Sequence, residues 1–210
     1  MLTDNIIAGA YETNCYILRK DKDAKDCVII DTALESRPII NFLQENKLNP
    51  AVLVLTHGHI DHIAAIPAIK ELWPEMKVYI HEADAEMLVR PTSNLSPLAG
   101  KMFKTEPADK LLKDGEEINI AGISLKVLHT PGHTAGGICL YSKKANVVFA
   151  GDTLFQGSVG RTDFPGSSTE KLMSSIKEKL LVLPDETVVY TGHGEETSIG
   201  EERRYNPFLR

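Results

Sequence analysis

Short apolar, β-branched runs alternate along the chain with stretches of helical periodicity, and Gly, Pro and Asn or Asp separate them. Residues 16–18 and 28–30 read as an early strand pair, turned by the charged segment 19–26. Ile39, Ile40 and Leu43 fall at helical spacing with Phe42 beside them, which predicts a helix over 39–48. Residues 52–55 are a buried-type strand, and 63–73 a helix that Pro74 stops and in which Pro67 is tolerated only near the first turn. A strand at 78–80 precedes a less regular segment over 90–107. Four strands then follow at 117–120, 124–128, 138–141 and 147–150. Residues 169–181 read as a helix capped by Ser168, 187–190 as the last strand and 199–205 as a closing helix. Strands with helices in both halves predict an α/β protein of two sheets with helices outside, one domain over 1–210.

Composition narrows the class without naming a function. Hydrophobic residues are 42% and charged residues 25% of the chain, the balance of a soluble globular protein. Lys and Arg number 23 against 29 Asp and Glu, a net charge of −6. That argues against nucleic acid or an anionic membrane as partner, since either calls for a basic surface. No apolar run approaches the roughly 20 residues of a membrane span. The three cysteines, Cys15, Cys27 and Cys139, form no CxxC pair and lie in or beside strand-like segments, so buried inert thiols are expected. Met1-Leu2-Thr3-Asp4-Asn5 lacks the basic start and apolar run of a signal peptide, which makes the cytoplasm the expected compartment.

Chemistry concentrates in the histidines. His57, His59 and His62 crowd into Thr56-His57-Gly58-His59-Ile60-Asp61-His62, directly after the strand at 52–55. A loop at a strand end holds ligands on a rigid support and leaves them open to substrate. Imidazole and carboxylate together suit zinc, iron or manganese. Gly58 permits the tight path that lets His57 and His59 converge, while Asp61 and His62 fall at the start of the next helix and can point elsewhere, so this one segment can serve two metals. Further ligands are expected from other strand ends: His133 in Thr130-Pro131-Gly132-His133-Thr134, Asp152 in Gly151-Asp152-Thr153, and His193 in Thr191-Gly192-His193-Gly194.

His57, His59, Asp61 and His62 match a His-x-His-x-Asp-His motif, and His133, Asp152 and His193 follow in the order seen in the metallo-β-lactamase superfamily, which the chain resembles over essentially its whole length. Within it the chain looks most like the glyoxalase II (hydroxyacylglutathione hydrolase) branch. That resemblance implies the four-layer αβ/βα sandwich and two divalent metal ions, zinc foremost, with iron or manganese as alternatives. It places the first metal on His57, His59 and His133, the second on Asp61, His62 and His193, and Asp152 between them. It further implies hydrolysis of a small-molecule thioester such as S-lactoylglutathione by metal-bound hydroxide, with Asp61 both ligand and catalytic residue. Residues 194–210 resemble the tail of short stand-alone relatives, so the C-terminal helical domain that contacts glutathione in typical glyoxalase II enzymes is not expected.

Other polar and aromatic residues carry weaker expectations. His129 and His81 read as structural, the former a candidate partner of a metal ligand. In the shaped loop 157–165, Arg161 either pairs with Asp163 or meets an anionic substrate, and Phe155 and Phe164 are candidate pocket residues. The Gly-Arg-Thr-Asp-Phe stretch at 160–164 also resembles persulfide dioxygenases. That likeness keeps open a mononuclear-iron enzyme acting on glutathione persulfide, with His57, His133 and Asp152 as ligands. A non-catalytic metal-binding module is the remaining alternative.

Overall fold

In the computed structural model, which describes residues 1–210, the strands form two six-stranded sheets and one short hairpin. The first sheet runs in sequence order: β1 (Leu2–Ala8), β2 (Thr13–Arg19), β3 (Asp26–Ile30), β4 (Asn49–Val54), β5 (Lys77–His81) and β6 (Lys110–Leu112). Between them lie α1 (Arg37–Glu45), α2 (Ile60–Ile63), α3 (Ile66–Leu72) and α4 (Ala85–Val89). The second sheet is built from β7 (Glu117–Ile120), β8 (Ile123–His129), β9 (Ile138–Ser142) and β10 (Val147–Gly151). The hairpin β11 (Leu154–Phe155) and β12 (Ser158–Val159) and helix α5 (Thr169–Ser175) follow, before β13 (Val188–Thr191), β14 (Thr197–Ser198) and α6 (Ile199–Tyr205). The second sheet's order is β14-β13-β10-β9-β8-β7.

The strands read as unbroken apolar runs because both of their faces are covered. In β2, Cys15 and Ile17 point to one side, where they join Ile39 and Leu43 of α1 and Ile66 and Ile69 of α3. Tyr16 and Leu18 point to the other, where they meet Val127, Leu140 and Phe149 of the second sheet. The outer face of that sheet, with Cys139, Val148 and Val189, packs on Leu172, Ile176 and Ile199. Helix, sheet, sheet and helix thus form the expected four layers. Each fully buried Leu, Ile or Val contributes roughly 1.5–3 kcal/mol. All three cysteines are buried and free. No helix is long and apolar enough to cross a membrane.

Several boundaries differ from the sequence reading for local reasons. The helix expected at 39–48 begins at Arg37, with Pro38 in its first turn, and ends at Glu45, because Lys47 takes a left-handed φ of 52°. The helix expected at 63–73 is two helices, α2 and α3, because Pro67 has no N–H to donate and so starts a new helix. β1 was not anticipated: it is an edge strand whose outward side chains dilute the apolar signal, and Ile7 stands exposed. The helix expected at 169–181 continues from α5 into one π turn over Ile176–Leu180.

Strand direction decides where the chemistry gathers. β9 is antiparallel to both β8 and β10, and β13 is parallel to β10, so β8, β10 and β13 all run the same way. Their C-terminal ends therefore share one rim, and the loops carrying His133, Asp152 and His193 all leave from it. Gly132 makes one of these turns possible. Its φ is +146°, and a Cβ there would lie 2.3 Å from the Leu172 backbone nitrogen. Gly132→Ala is expected to lower the unfolding free energy by about 3 kcal/mol or more in urea denaturation. A wild-type midpoint would show that α5 yields freely.

Candidate metal centre

Five imidazoles and two carboxylates meet at that rim, and they fall into overlapping sets. His57, His59 and His133 place one ligand atom each within 4.8 Å of one another, and so do Asp61, His62 and His193. A third set, His57, His62 and Asp152, takes one histidine from each of the first two. Asp152 turns its two oxygens in different directions. Oδ1 lies 3.5 Å from His62 Nε2, and Oδ2 lies 3.6 Å from both His133 Nε2 and His193 Nε2. Asp61 Oδ2 sits 3.2 Å from His193 Nε2 and 3.6 Å from His62 Nε2. All seven residues named from the sequence are thus brought together.

Outer hydrogen bonds set which nitrogen of His57, His133 and His193 faces inward, and a close carboxylate does so for His62. His133 Nδ1 donates to the Arg161 carbonyl at 2.8 Å, and His193 Nδ1 donates to the Tyr11 carbonyl at 2.8 Å. Asp31 accepts from the Thr56 N–H (2.8 Å) and Thr56 Oγ1 (2.6 Å), and its Oδ2 lies 3.0 Å from His62 Nδ1. With its own proton committed to Asp31, Thr56 Oγ1 accepts from His57 Nδ1 at 3.2 Å. Four rings therefore turn Nε2 inward, whereas His59 faces His133 Nε2 through Nδ1, at 3.0 Å. Outer partners of this kind set the tautomer that a metal ligand needs.

The electrostatics are those of a site completed by cations. His57 Nε2, both ring nitrogens of His62 and Asp152 Oδ1 are buried without a hydrogen-bond partner. Orphaned lone pairs of this kind are costly to bury unless something positive meets them. Burial, helped by His62 and His59, holds His57 well below the ordinary imidazole pKa; burial and His133 lower His59 to about 3. At His62 burial works against the proton, but Asp31, Asp61 and Asp152 together lift the pKa well above the usual value. His193 is raised too, against burial, by Asp61 and Asp152. Burial alone would push Asp152 up, yet His62, His57 and His133 hold it well below the carboxylate range. The donor set is of nitrogen and oxygen with no sulfur, which fits divalent zinc, iron or manganese.

A cavity of about 620 Å³ opens above these groups. Phe164 lines it beside His59, with ring centroids 5.6 Å apart, and Phe155 lines it beside His193 at 6.3 Å. Arg161 also lines it, but its Nε and Nη2 are both spent on the Asp163 carboxylate at 2.7 Å. His129 touches no ligand. Its Nε2 donates to the Ala135 carbonyl, and its ring stacks on His81 at 4.0 Å.

Two acidic residues escaped the sequence reading. Asp31 follows the apolar strand β3 just as Asp152 follows β10, and that placement was the available signal. Asp84 is buried and accepts from Thr134 Oγ1 (2.7 Å) and the Gly136 N–H (2.6 Å), bracing the loop that carries His133. It sits in an acidic run, Glu82-Ala83-Asp84-Ala85-Glu86, that offered nothing to distinguish it.

Residues 8–193 match the family model described as the metallo-beta-lactamase superfamily. The chain is 39% identical to hydroxyacylglutathione hydrolase GloC of Haemophilus influenzae, over 95% of this chain and 94% of that one. Among solved structures, BLEG-1 B3 metallo-beta-lactamase superposes with a TM-score of 0.94 at 38% identity, covering 99% of each chain. TTHA1623, solved in a di-iron-bound form, gives a TM-score of 0.84 at 33% identity over 98% of this chain and 100% of that one. With a family match over residues 8–193 and nearly the whole length in common with these relatives, this chain belongs to the metallo-β-lactamase superfamily.

Proposed function

We propose that the protein is a metal-dependent thioester hydrolase holding two divalent ions, with S-lactoylglutathione as its reference substrate. His57, His59 and His133 form the first ion's set, Asp61, His62 and His193 the second, and Asp152 faces both. The observation that carries this reading is the pair of complete sets joined by one carboxylate at the floor of an open cavity. A pair of divalent ions supplies Lewis acidity, which brings the pKa of water down toward 7 and polarises a carbonyl. The remaining work falls to the chain. Asp61 Oδ2, turned toward His193 on a side chain largely shielded from solvent, is placed to accept a hydrogen bond from the attacking water and hold its lone pair toward the acyl carbon. Phe155 and Phe164 stand beside His193 and His59 and wall the floor at either end. A departing thiolate is a good leaving group, so no strong general acid is required.

Zinc is the leading metal, with iron as the alternative. The likeness of residues 160–164 to persulfide dioxygenases supports a second reading, in which His57, His133 and Asp152 hold one iron. Metal analysis of the purified protein, alongside turnover of S-lactoylglutathione, separates the two. Two ions with turnover are expected, and a β-lactam offered to the same preparation serves as the control for amide hydrolysis. One iron, no thioesterase activity and oxygen uptake with glutathione persulfide would replace the first reading by the second. Asp61→Ala with restored metal content is expected to lose about 100-fold or more in kcat; near-normal turnover would remove Asp61 from the chemistry.

The two sets also differ in the protons they hold. A cation entering the second set must displace protons from His62 and His193, whose pKa values are raised, whereas His57 and His59 are neutral already. Protons therefore compete more strongly at the second set as pH falls toward and below the ordinary imidazole value of about 6.5. Equilibrium dialysis with metal analysis is expected to show one ion released at higher pH than the other. His193→Ala is expected to abolish the acid-sensitive step, and loss of both ions in a single step would contradict the assignment.

A further inference from the structure

Four of the five ligand rings have an outer partner: Thr56 for His57, Asp31 for His62, and the Arg161 and Tyr11 carbonyls for His133 and His193. His59 has none, and its Nδ1 faces His133 Nε2 at 3.0 Å. No polar partner turns that ring, so its backbone has to. Beside it stands Gly58, where an added Cβ would lie 2.5 Å from Met87 Cβ. In the loop that carries His133, an added Cβ on Gly136 would lie 2.5 Å from the Asp84 backbone nitrogen. Two ligand loops, one from each sheet, thus close onto the single short segment Asp84–Met87, and at both contacts a glycine permits the approach.

Asp84 occupies the middle of this junction and is 1% exposed. Its Oδ2 accepts from Thr134 Oγ1 at 2.7 Å, its Oδ1 accepts from the Gly136 N–H at 2.6 Å, and the Gly58 N–H is directed at the same carboxylate. One buried carboxylate therefore joins the residue between His57 and His59 to the residue that follows His133. Next to it His81 and His129 stack 4.0 Å apart, and His129 Nε2 donates to the Ala135 carbonyl at 3.0 Å, a second tie between β5 and the His133 loop. The second set is held from elsewhere. The His62 carbonyl accepts from the Thr32 N–H and Oγ1, and Asn14 and Tyr16 hold the loop that carries His193. We propose that Asp84 is the positioning residue of the first set: by gathering Gly58, Thr134 and Gly136 on one carboxylate it holds His59 against His133 and sets the affinity for that ion alone. This assignment rests on the two-ion reading of the centre.

The test titrates the metal-free full chain with zinc in competition with a chromophoric chelator. Asp84→Asn, whose amide turns a donor toward one of these three donors, is expected to weaken one of the two binding steps by about 10–100-fold and leave the other unchanged. Thr134→Val keeps the shape and removes one hydrogen bond, so it is expected to move the same step in the same direction, whereas Thr134→Ser, which keeps the hydroxyl, binds as wild type. This pair decides the question if Asp84→Asn does not fold. In a His193→Ala background, where the second set is broken, Asp84→Asn is expected to weaken the step that remains; in a His59→Ala background it is expected to change nothing. Equal weakening of both steps, a lowered melting temperature with both affinities intact, or failure of Thr134→Ser to bind as wild type overturns the inference. If the wild-type chain takes only one ion, the two-ion reading falls. Asp84 then keeps its role if Thr134→Val weakens that ion and Thr134→Ser does not, and loses it otherwise.

Discussion

The Asp31 carboxylate is buried beneath the ligand loops and orients one histidine of each set. It receives two hydrogen bonds from Thr56, and through Thr56 Oγ1 it turns the Nε2 of His57 inward. Its other contact, at 3.0 Å, does the same for His62. A buried carboxylate without such partners would be strongly disfavoured, so the loop after β4 has one low-energy way to settle. His57 belongs to the first set and His62 to the second, and the relative position of the two sets follows from this one residue.

The other strand ends are fitted to that arrangement by close packing. A Cβ on Gly192 would lie 2.1 Å from Asp152 Oδ1, so only glycine lets the loop carrying His193 approach the shared carboxylate. Asn14 and Tyr16 of β2 hold the same loop from the opposite sheet, through the carbonyls of Thr191 and Gly194. The first sheet therefore shapes the second set as well as the first. The metal centre sits across the seam between the sheets, where both contribute ligands and both contribute supports.

The cavity above the centre has a polar floor and largely apolar walls. Histidines and aspartates make up its floor, and aromatic and aliphatic side chains make up most of its walls. The walls come from Tyr11, from Ile60 within the ligand loop, from the Leu95–Leu98 turn, from the hairpin that follows Asp152 and from Phe164. The chain is similar over nearly its whole length to proteins that carry names as different as hydroxyacylglutathione hydrolase and B3 metallo-beta-lactamase, so the fold alone does not name a substrate.

The ligand types, their order and their places after strands were legible in the sequence, because strand and loop signals are local and His57, Asp61 and His62 lie within one turn of chain. The layered α/β architecture was legible for the same reason, apart from edge strands such as β1, whose burial is too slight to mark them. Tertiary structure alone decided which nitrogen each ring presents, that Asp31 and Asp84 support the loops, that Arg161 is spent on Asp163, and that Leu95 is held left-handed against the cavity. Each of these rests on a contact between residues that the fold brings together or on a backbone angle imposed from outside the residue, and neither leaves a trace in the spacing of side chains along the chain.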